Sequence, residues 1–564
     1  MTLRRAALVL ADTMVAHGVD RVFSVPGESF LALIDVLRTR PSIDFVVARH
    51  EGGAGYMAVA DAKCTGRPGI CLVSRGPGAT NAAIAIHTAR QDAAPLVVIV
   101  GQVTRRERGR GAFQEVDYER TFSDLAKAVW EVRDGAALAD AFARAWAIAT
   151  ADTPGPVVVA VPEDVFDDET GAALPGARPP HALEPNDQAI AQLADAIARA
   201  KRPLVIAGGA LGSRDGRGAL AAAAERHQVP VALAYKRQDL FLNASPLFAG
   251  YLGYKIPEAQ VARLAQADLV VAVGTRLTDI TTQNDTLPSA PVPAQDLVHV
   301  YPDPAQIGRV FATALGIAAD PARVLAKLAD LPARGDLDAR AAWARSLHDY
   351  ARALAAYTPT PRPDGLEFGV VVSAAAGLAA PDAVISVDAG HFSSWVHRLW
   401  PWSPEQRLIG AVSGAMGLGV PGAVAASLRF PGRQVIAFVG DGGFMMTGAE
   451  LATAVRQRAD LTIVVGNNSA YGTIRHHQEL QHPGHPYATD LSPVDFATFA
   501  EACGARGFRI REEQDVVPAL GEAFAVRGPA VVDAAISLEA ISAYTTLSAA
   551  RERGRRASPE RRTP

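Results

Sequence analysis

The chain has 564 residues, 49% of them hydrophobic, and a formal net charge of −4. A single hydrophobic core does not grow to this size, so the length predicts about three domains. The small net charge excludes the strong positive field of a nucleic-acid-binding protein and favours a small molecule as the partner.

Neither the cysteines nor the hydropathy pattern indicates an exported or membrane-bound protein. Cys64, Cys71 and Cys503 are odd in number and scattered, without the CxxC spacing of a zinc site. No window of about 18 uninterrupted apolar residues provides a membrane span. Asp12 interrupts the N-terminal apolar run, which suits an amphipathic helix better than a signal peptide. We therefore expect a cytoplasmic protein without a membrane segment.

Residues 1–165 alternate helical and strand patterns, as an α/β domain does. One predicted strand runs into the Pro26-Gly27 turn, and another ends just before Glu51, which begins a predicted helix. A carboxylate at a helix start interacts favourably with the helix dipole, by a few tenths to about 1 kcal/mol. Helix stability therefore explains a glutamate at position 51, in addition to any catalytic role.

The rest of the chain divides by composition. Residues 163–187 are polar and Pro-rich and predict an extended linker, whereas residues 188–335 contain four buried-strand candidates and predict a second α/β domain. The stretch 332–364 predicts a second linker, and residues 365–540 predict a third domain. The Arg-, Pro- and Ser-rich residues 541–564 predict a disordered basic tail.

The third domain contains a strand, turn, helix, strand and turn at residues 435–472. The apolar runs 435–439 and 461–465 flank a helical pattern, which predicts one βαβ unit with parallel strands. Both strands of such a unit end at the same edge of the sheet. We therefore expect Asp441 and Asn468, which follow the two strands, to face one crevice.

This crevice has the chemistry of a cation site beside an anion. Mg²⁺ prefers oxygen ligands, and Asp441, Asn468 and the Ala470 carbonyl supply three. Glycines in the first turn let the backbone approach a phosphate, and the following helix points unpaired N–H groups at it. These glycines are Gly440, Gly442 and Gly443. The alternative is an ordinary strand-to-helix turn followed by a loop. The absence of a Walker-type or GxGxxG motif here argues against a nucleotide triphosphatase or dinucleotide site.

The GDGG turn and the later Asn-Asn pair resemble the thiamine-diphosphate-binding motif. Four further segments resemble the same family: RHEGGAGYMA around Glu51, SRGPGATN around Asn81, GRGAFQE around Gln114 and VSGAMGLGVPGA around Met416. Across essentially its full length, the chain resembles the acetolactate synthase and pyruvate decarboxylase superfamily, most of all acetolactate synthase large subunits. The resemblance implies an α/β fold of three domains, each a mainly parallel sheet flanked by helices. Their order would be pyrimidine-binding, central and diphosphate-binding.

The resemblance also implies which residues bind the cofactor. Asp441, Asn468 and the Ala470 carbonyl would ligate a Mg²⁺ ion that bridges to thiamine diphosphate. Further cofactor contacts would come from Pro26, Gly27, Asn81, Gly390, His391, Phe392, Gly440, Gly442, Gly443 and Tyr471.

Catalytic roles are implied for Glu51, Gln114 and Met416. Glu51 would hydrogen-bond the pyrimidine ring and exchange a proton with the cofactor. The Gly414 carbonyl would accept the pyrimidine amino group, while Met416 would hold the cofactor rings close together. Outside this family, Met416 is explained as a core filler. Phe113 and Gln114 would face the substrate; the alternative is an ordinary mobile loop.

Two other residues keep alternative explanations. Asn81 either bonds the pyrimidine or caps the helix that follows the Pro77-Gly78 turn. Lys127 either contacts the substrate, as in acetolactate synthases, or is solvated.

The chain departs from the acetolactate synthase pattern near the substrate. DAGHFSSW replaces GQHQMW, so His391 and Phe392 occupy the Gln and His places. His477 occupies the place of a tryptophan that favours 2-oxobutyrate as acceptor. DLVVAVGTRLTD resembles a flavin-binding stretch, but FAGYLGYKIP replaces the usual LGMxGMHG. A bound FAD is therefore left open.

The resemblance implies a carboligase that decarboxylates a 2-oxo acid such as pyruvate and couples the product to a second carbonyl compound. The alternatives are a 2-oxo acid decarboxylase or 2-hydroxyacyl lyase that releases an aldehyde or acts on an acyl-CoA, and a cofactor-binding protein without catalysis. It also implies a homodimer or homotetramer in which Glu51 of one subunit meets the diphosphate site of another. No nucleic acid or membrane partner is expected.

Overall fold

The structure is a computed structural model that describes residues 3–176 and 183–557. It contains three six-stranded sheets in which all paired strands are parallel, flanked by helices. Parallel sheets are covered on both faces, which explains why their strands are near-continuous runs of buried apolar residues. The predicted fold class, three α/β domains with mainly parallel sheets, is confirmed.

The N-terminal sheet positions Glu51 at its carboxyl edge. The strands of this region are β1 Arg4–Arg5, β2 Arg21–Ser24, β3 Asp44–Val47, β4 Gly69–Val73, β5 Leu96–Gln102, β6 Ala128–Glu131, β7 Pro156–Pro162 and β8 Glu169–Thr170. Its helices are α1 Ala6–Ala16, α2 Leu31–Leu37, α3 Glu51–Thr65, α4 Pro77–Asn81, α5 Ala83–Asp92, α6 Tyr118–Phe122 and α7 Gly135–Thr150. The sheet order is β3-β2-β4-β5-β7-β6, and β1 pairs antiparallel with β8.

The central sheet has the order β11-β10-β9-β12-β13-β14. Its strands are β9 Pro203–Ala207, β10 Val231–Leu233, β11 Phe248–Tyr251, β12 Leu269–Val273, β13 Asp296–Tyr301 and β14 Leu315–Ala318. Its helices are α8 Asp187–Arg199, α9 Arg214–His227, α10 Glu258–Leu264, α11 Pro321–Asp330 and α12 Leu337–Ala355. An apolar cluster made of residues 190–347 alone fills this domain.

The C-terminal sheet, of order β16-β15-β17-β18-β20-β19, carries the glycine-rich turn. Its strands are β15 Val384–Val387, β16 Arg407–Ile409, β17 Val435–Gly440, β18 Leu461–Asn467, β19 Arg506–Ile510 and β20 Pro529–Ala535. The helices are α13 Phe368–Leu378, α14 Ser393–Leu399, α15 Gly419–Arg429, α16 Asp441–Thr447, α17 Leu451–Gln457, α18 Gly472–Gln481, α19 Phe496–Ala502, α20 Glu513–Ala525 and α21 Leu547–Ala557. Short 3-10 turns cover Glu28–Phe30, Glu163–Asp167, Gly209–Leu211, Gln238–Leu240, Pro304–Gln306 and Gly448–Glu450.

The N-terminal and C-terminal domains share one hydrophobic core. A single cluster joins buried residues of α3, α5 and β4 to buried residues of α15, β17 and β18. The face of α3 is built from small residues, and a Cβ on Gly53 would collide with the Glu450 carboxyl group of the C-terminal domain. Arg429 of α15 also forms ion pairs with Asp20 and Asp61 of the N-terminal domain. The two domains therefore pack against each other through close helix contacts.

Three predicted irregular segments need correction. The second linker, 332–364, contains the 19-residue helix α12, which Asp336 caps and which buries Trp343 and Leu347. Its Pro- and Gly-rich flanks hid an apolar face with helical spacing. The first linker begins with the 3-10 turn Glu163–Asp167 and β8, while residues 177–182 lie outside the described residues.

The prediction of a disordered tail from residue 541 is wrong for α21. This helix packs against α18, and Arg551 donates two hydrogen bonds of 2.7 and 2.8 Å to the buried Glu479. A Cβ on Gly554 would lie 2.5 Å from the Glu479 carbonyl oxygen, so Gly554 allows the close contact. Basic composition concealed this helix because its charges pair with α18 or face solvent. Residues 558–564 lie outside the described residues.

Among the helices of the described segments, none has both the length and the apolar character needed to cross a bilayer.

Candidate active site

Asp441 stands where β17 meets α16, and its carboxylate is buried. One oxygen accepts the N–H of Gly442 at 2.8 Å, and the other accepts the N–H of Ala470 at 3.2 Å. Burial raises the pKa of Asp441, while hydrogen bonds from these amides and from those of Asn468 and Ser469 oppose the rise. The structure thus brings the predicted Asp441, Asn468 and Ala470 together. This set provides carboxylate, amide and carbonyl oxygens, the chemistry that a divalent cation prefers.

The glycines of this turn are needed because side chains pass close to the backbone. A Cβ on Gly440 would lie 3.2 Å from the Phe392 ring, and one on Gly442 would lie 2.7 Å from the Tyr471 ring. The three predicted loops, at 390–392, 440–443 and 468–471, therefore meet at one edge of the C-terminal sheet.

Asp388, which the sequence reasoning did not single out, connects this edge to the Met416 segment. It follows β15, is fully buried, and both its oxygens accept the N–H of Gly417 at 2.9 and 3.0 Å. Burial raises the pKa of Asp388 to about 6. The Met416 carbonyl accepts a hydrogen bond of 3.1 Å from the Tyr56 hydroxyl. Met416 is thus fixed from both domains, and Gly414, with φ of +70°, has open space at its Cβ position.

Glu51 begins α3, as predicted, and His50 caps the helix by accepting the N–H of Gly52. Asn81 donates a 2.9 Å hydrogen bond from its amide nitrogen to Glu51 Oε2. The other oxygen, Oε1, lies against Gly78, where a Cβ would approach to 3.1 Å. Asn81 therefore orients the Glu51 carboxyl group.

Glu450 of the C-terminal domain fixes the backbone just before Glu51. It is fully buried and accepts the N–H groups of Arg49 and His50, each at 3.0 Å. Thr453 donates a further bond of 2.6 Å. The sequence carried no signal for this role, because Glu450 is about 400 positions away and lies in an ordinary helical segment.

The predicted substrate loop lies beside the Pro77-Gly78 turn. Phe113 is 78% exposed, and Gln114 has φ of +64° with its backbone close to Gly76. Lys127 is not simply solvated. Its ammonium group donates to the carbonyls of Ile148 and Ala151, both at 2.7 Å, and so caps the end of α7.

Histidines gather between the 390–392 loop and α18. The rings of His391 and His476 are buried, with centroids 4.6 Å apart, and His477 Nε2 lies 3.0 Å from the Tyr254 hydroxyl of the central domain. Among the described residues, the ring nitrogens of His391 and His476 have no hydrogen-bond partner. Burial lowers the pKa of His391 to about 3 and that of His476 to about 4, so both rings are neutral at pH 7.

The fold and two groups of site residues, one in each of two domains, define a class of α/β enzyme. One α/β domain presents an oriented glutamate, and another presents a glycine-lined carboxylate suited to a metal-bound diphosphate. Family comparison specifies the class. The chain matches the N-terminal TPP binding domain of thiamine pyrophosphate enzymes at residues 4–121, the central domain at 190–328 and the C-terminal TPP binding domain at 388–534. It belongs to the thiamine pyrophosphate enzyme family.

Relatives match over nearly the whole chain. A putative thiamine pyrophosphate-containing protein of Bacillus subtilis is 32% identical over 548 residues, covering 96% of this chain and 93% of the relative. The large subunit of acetolactate synthase isozyme 1 of Escherichia coli is 32% identical, covering 93% and 92%. The acetolactate synthase large subunit of Parasynechococcus marenigrum is 32% identical, covering 93% and 86%. The predicted membership and the dependence on thiamine diphosphate (pyrophosphate) are confirmed.

The residues present fit this cofactor. The buried Asp441 carboxylate beside the Ala470 backbone suits a cation that carries a diphosphate, and the open space at Gly414 leaves room for a ring.

Proposed function

We propose that the protein is a Mg²⁺-dependent carboligase that decarboxylates a 2-oxo acid such as pyruvate and couples the product to a second carbonyl compound. The observation that carries the proposal is the Asn81 to Glu51 hydrogen bond of 2.9 Å. It orients a carboxyl group at the start of α3, which a protein that only stores the cofactor does not need. Acetolactate synthases among the full-length relatives support the reaction class.

In this proposal the C-terminal edge holds the cofactor. Asp441, Asn468 and the Ala470 carbonyl would ligate Mg²⁺. The diphosphate and thiazolium would be contacted by Gly390, His391, Phe392, Gly440, Gly442, Gly443 and Tyr471. The pyrimidine would be contacted by Pro26, Gly27, Glu51, Asn81, Gly414 and Met416.

When bound, thiamine diphosphate supplies a carbon nucleophile and an electron sink for decarboxylation. Glu51 holds the exchangeable proton at Oε1, because Asn81 occupies Oε2. Met416 orients the ligand through a backbone that Tyr56 and Asp388 fix on either side. Gln114 reaches the substrate from the loop beside Gly76.

His391, His476 and His477 would contact the 2-oxo acid or its acceptor. As neutral imidazoles they offer N–H donors without a full positive charge. This polar group in place of the tryptophan expected from acetolactate synthases favours small polar acceptors over apolar ones. The same rings support the alternative function, a decarboxylase or lyase, because a neutral imidazole can relay the proton that releases an aldehyde, accepting it from water at one nitrogen while donating from the other.

We further propose that the active site is shared between two subunits of a homodimer or homotetramer. Among the described residues, no hydrogen bond joins Glu51 to the loops at 388–392, 440–443 or 468–472. Met445 and Met446, which follow Asp441 on α16, are 54% and 51% exposed. Exposed apolar side chains beside a functional site suit a protein interface. The three free cysteines support the proposed cytoplasmic location.

Product analysis tests the reaction. The enzyme is incubated with pyruvate, thiamine diphosphate and Mg²⁺, with and without candidate aldehydes or a second 2-oxo acid, and the products are separated. We expect a coupled hydroxyketone; free aldehyde as the sole product would replace the carboligase by the decarboxylase. A visible absorption spectrum of the purified protein decides whether FAD is bound.

A further inference from the structure

A cavity of about 430 Å³ lies between the central and C-terminal domains. It is bounded by the edge strand β11, by α12, by α14 and by the loop that contains Tyr544. None of the residues that we assign to thiamine diphosphate or to the substrate lines it. The volume lies within the range of about 300–1,000 Å³ that is typical of small-molecule pockets.

The walls combine aromatic surface with polar atoms that lack partners. Phe248, Trp400 and Tyr544 provide apolar area. His397 is 5% exposed, and neither of its ring nitrogens has a partner among the described residues. Gln260 is 3% exposed; its amide nitrogen donates to the Tyr251 carbonyl at 2.8 Å, while its oxygen is unpaired there. Buried polar atoms are nearly always paired, so these positions point to an occupant.

The same walls restrict the charge of that occupant. Within the part of the chain that the structure describes, no Asp or Glu lines the cavity. The Arg398 guanidinium is occupied by the carbonyls of Leu354, Ala356 and Ala543. Burial lowers the pKa of His397 to about 3, so its ring is neutral. The other arginine of the lining, Arg352, is exposed to solvent. A metal ion therefore finds no carboxylate on these walls, and a phosphate ester finds no unpaired buried cation, whereas a hydroxyl or amide donor would satisfy the Gln260 oxygen.

We propose that this cavity binds a small uncharged molecule with a cyclic apolar body and a hydroxyl or primary amide group. The hydroxyl or amide group of this molecule donates a hydrogen bond to Gln260 Oε1, and the His397 ring accepts or donates a second hydrogen bond beside it. The site joins two domains, since β11 and α12 belong to one and α14 to the other, and the Tyr251 and Tyr544 hydroxyls meet at 2.8 Å in its wall. Occupancy therefore stabilises the contact between the central and C-terminal domains.

Binding is tested on the full chain loaded with thiamine diphosphate and Mg²⁺, using benzyl alcohol and benzamide as probes and toluene as the control without a donor. Saturation-transfer NMR measures affinity, and the thermal midpoint measures stabilisation. We expect saturable binding of both probes, with toluene about fivefold to tenfold weaker because one net hydrogen bond is missing. Absence of saturable binding, or equal binding of toluene, overturns the proposal.

Variants locate the site. Ala351 lies on the cavity side of α12, and Ala351→Phe should abolish binding of both probes, whereas Ala353→Phe, on the exposed side of the same helix, should leave it unchanged. His397→Phe, of similar shape, should reduce the preference for benzyl alcohol over toluene. If Ala351→Phe fails to fold, the preference of His397→Phe for benzyl alcohol over toluene alone decides whether the probes bind at this cavity. Binding that survives Ala351→Phe in folded protein, or an unchanged preference in His397→Phe, contradicts the site.

Discussion

The Glu450 carboxylate accepts the backbone N–H of His50 at 3.0 Å and thereby fixes the chain one residue before Glu51. A buried residue of one domain thus holds the start of the helix that carries the proposed catalytic residue of another. Glu450→Gln replaces one acceptor oxygen by an NH₂ group, which faces other donors. We expect a loss of about 1–3 kcal/mol in the free energy of unfolding and a lower kcat.

Chemical denaturation and steady-state kinetics measure these two effects. Glu522→Gln, on the exposed side of α20, is the matched control and should change neither. Wild-type stability in Glu450→Gln would show that the backbone of Arg49 and His50 does not depend on this carboxylate.

Glu51→Gln should lower kcat by about 10²–10⁴-fold, the usual contribution of a positioned proton-transfer group. The affinity for thiamine diphosphate should change little, because the substituted glutamine side chain retains an oxygen for the Asn81 amide. Steady-state kinetics and equilibrium cofactor titration separate the effects, with Glu119→Gln on the surface as the control. Turnover at the wild-type rate would refute proton exchange at Glu51.

Two inactive variants should restore activity when their subunits mix. Glu51→Gln damages only the pyrimidine side of a shared site, and Asp441→Ala damages only the metal side. A heterodimer then contains one site with both defects and one intact site, which predicts about half of the wild-type activity per dimer. Verified heterodimers without activity would place each complete site within one subunit.

Asp388 should make stability depend on pH in a direction opposite to that of most carboxylates. Its folded pKa of about 6 lies above the ordinary value of 3.8, so the folded state binds more protons between these values. Stability from this group is fully present below about pH 4 and is lost as the pH rises through 6. Relative to Asp388→Asn, the wild type should gain up to about 3 kcal/mol between pH 7 and pH 4.

Urea unfolding of both proteins at several pH values measures this difference. Asp349→Asn, an exposed position of α12, is the control and should track the wild type. A constant difference between wild type and Asp388→Asn would show that Asp388 does not titrate in this range.

Arg551→Leu should destabilise the protein because it leaves Glu479 buried without its guanidinium partner. We expect a loss of about 1–3 kcal/mol at pH 7. The hydrogen bond from Arg551 holds the pKa of Glu479 below its ordinary value. The stabilisation that Arg551→Leu removes is therefore present above the ordinary pKa of Glu479. It disappears as the pH falls through the lowered pKa of this group.

Denaturation at pH 7 and in acid tests both parts of this expectation. Arg555→Leu, exposed on the same helix, should have little effect. An Arg551→Leu protein as stable as the wild type at pH 7 would show that α21 is not anchored through Glu479.

The sequence predicted those parts of the site that short-range chain topology determines. A βαβ unit places the ends of its two strands at one sheet edge, so Asp441 and Asn468 were expected to converge, and they do. The start of α3 at Glu51 followed equally from a strand end and a helical pattern. Whether these residues bind Mg²⁺ and cofactor remains a prediction.

Contacts between domains were not predictable in this way. The bond from Tyr56 to Met416 joins residues 360 positions apart, and its geometry depends on how α3 packs against the C-terminal domain. Helix α21 was missed for a related reason. Its arginines have the composition of a solvated tail, and only the fold provides Glu479 as a partner for Arg551.

The hydrophobic cluster that spans the N-terminal and C-terminal domains gives the molecule an order of assembly that differs from the order of its sequence. The first and third segments of the chain bury each other, whereas the middle segment has an interior of its own. During synthesis the central domain can complete its core while the N-terminal domain still exposes α3 and α5, because their partner α15 follows α5 only about 330 residues later. The N-terminal and C-terminal domains therefore complete their shared core only after the middle domain has folded.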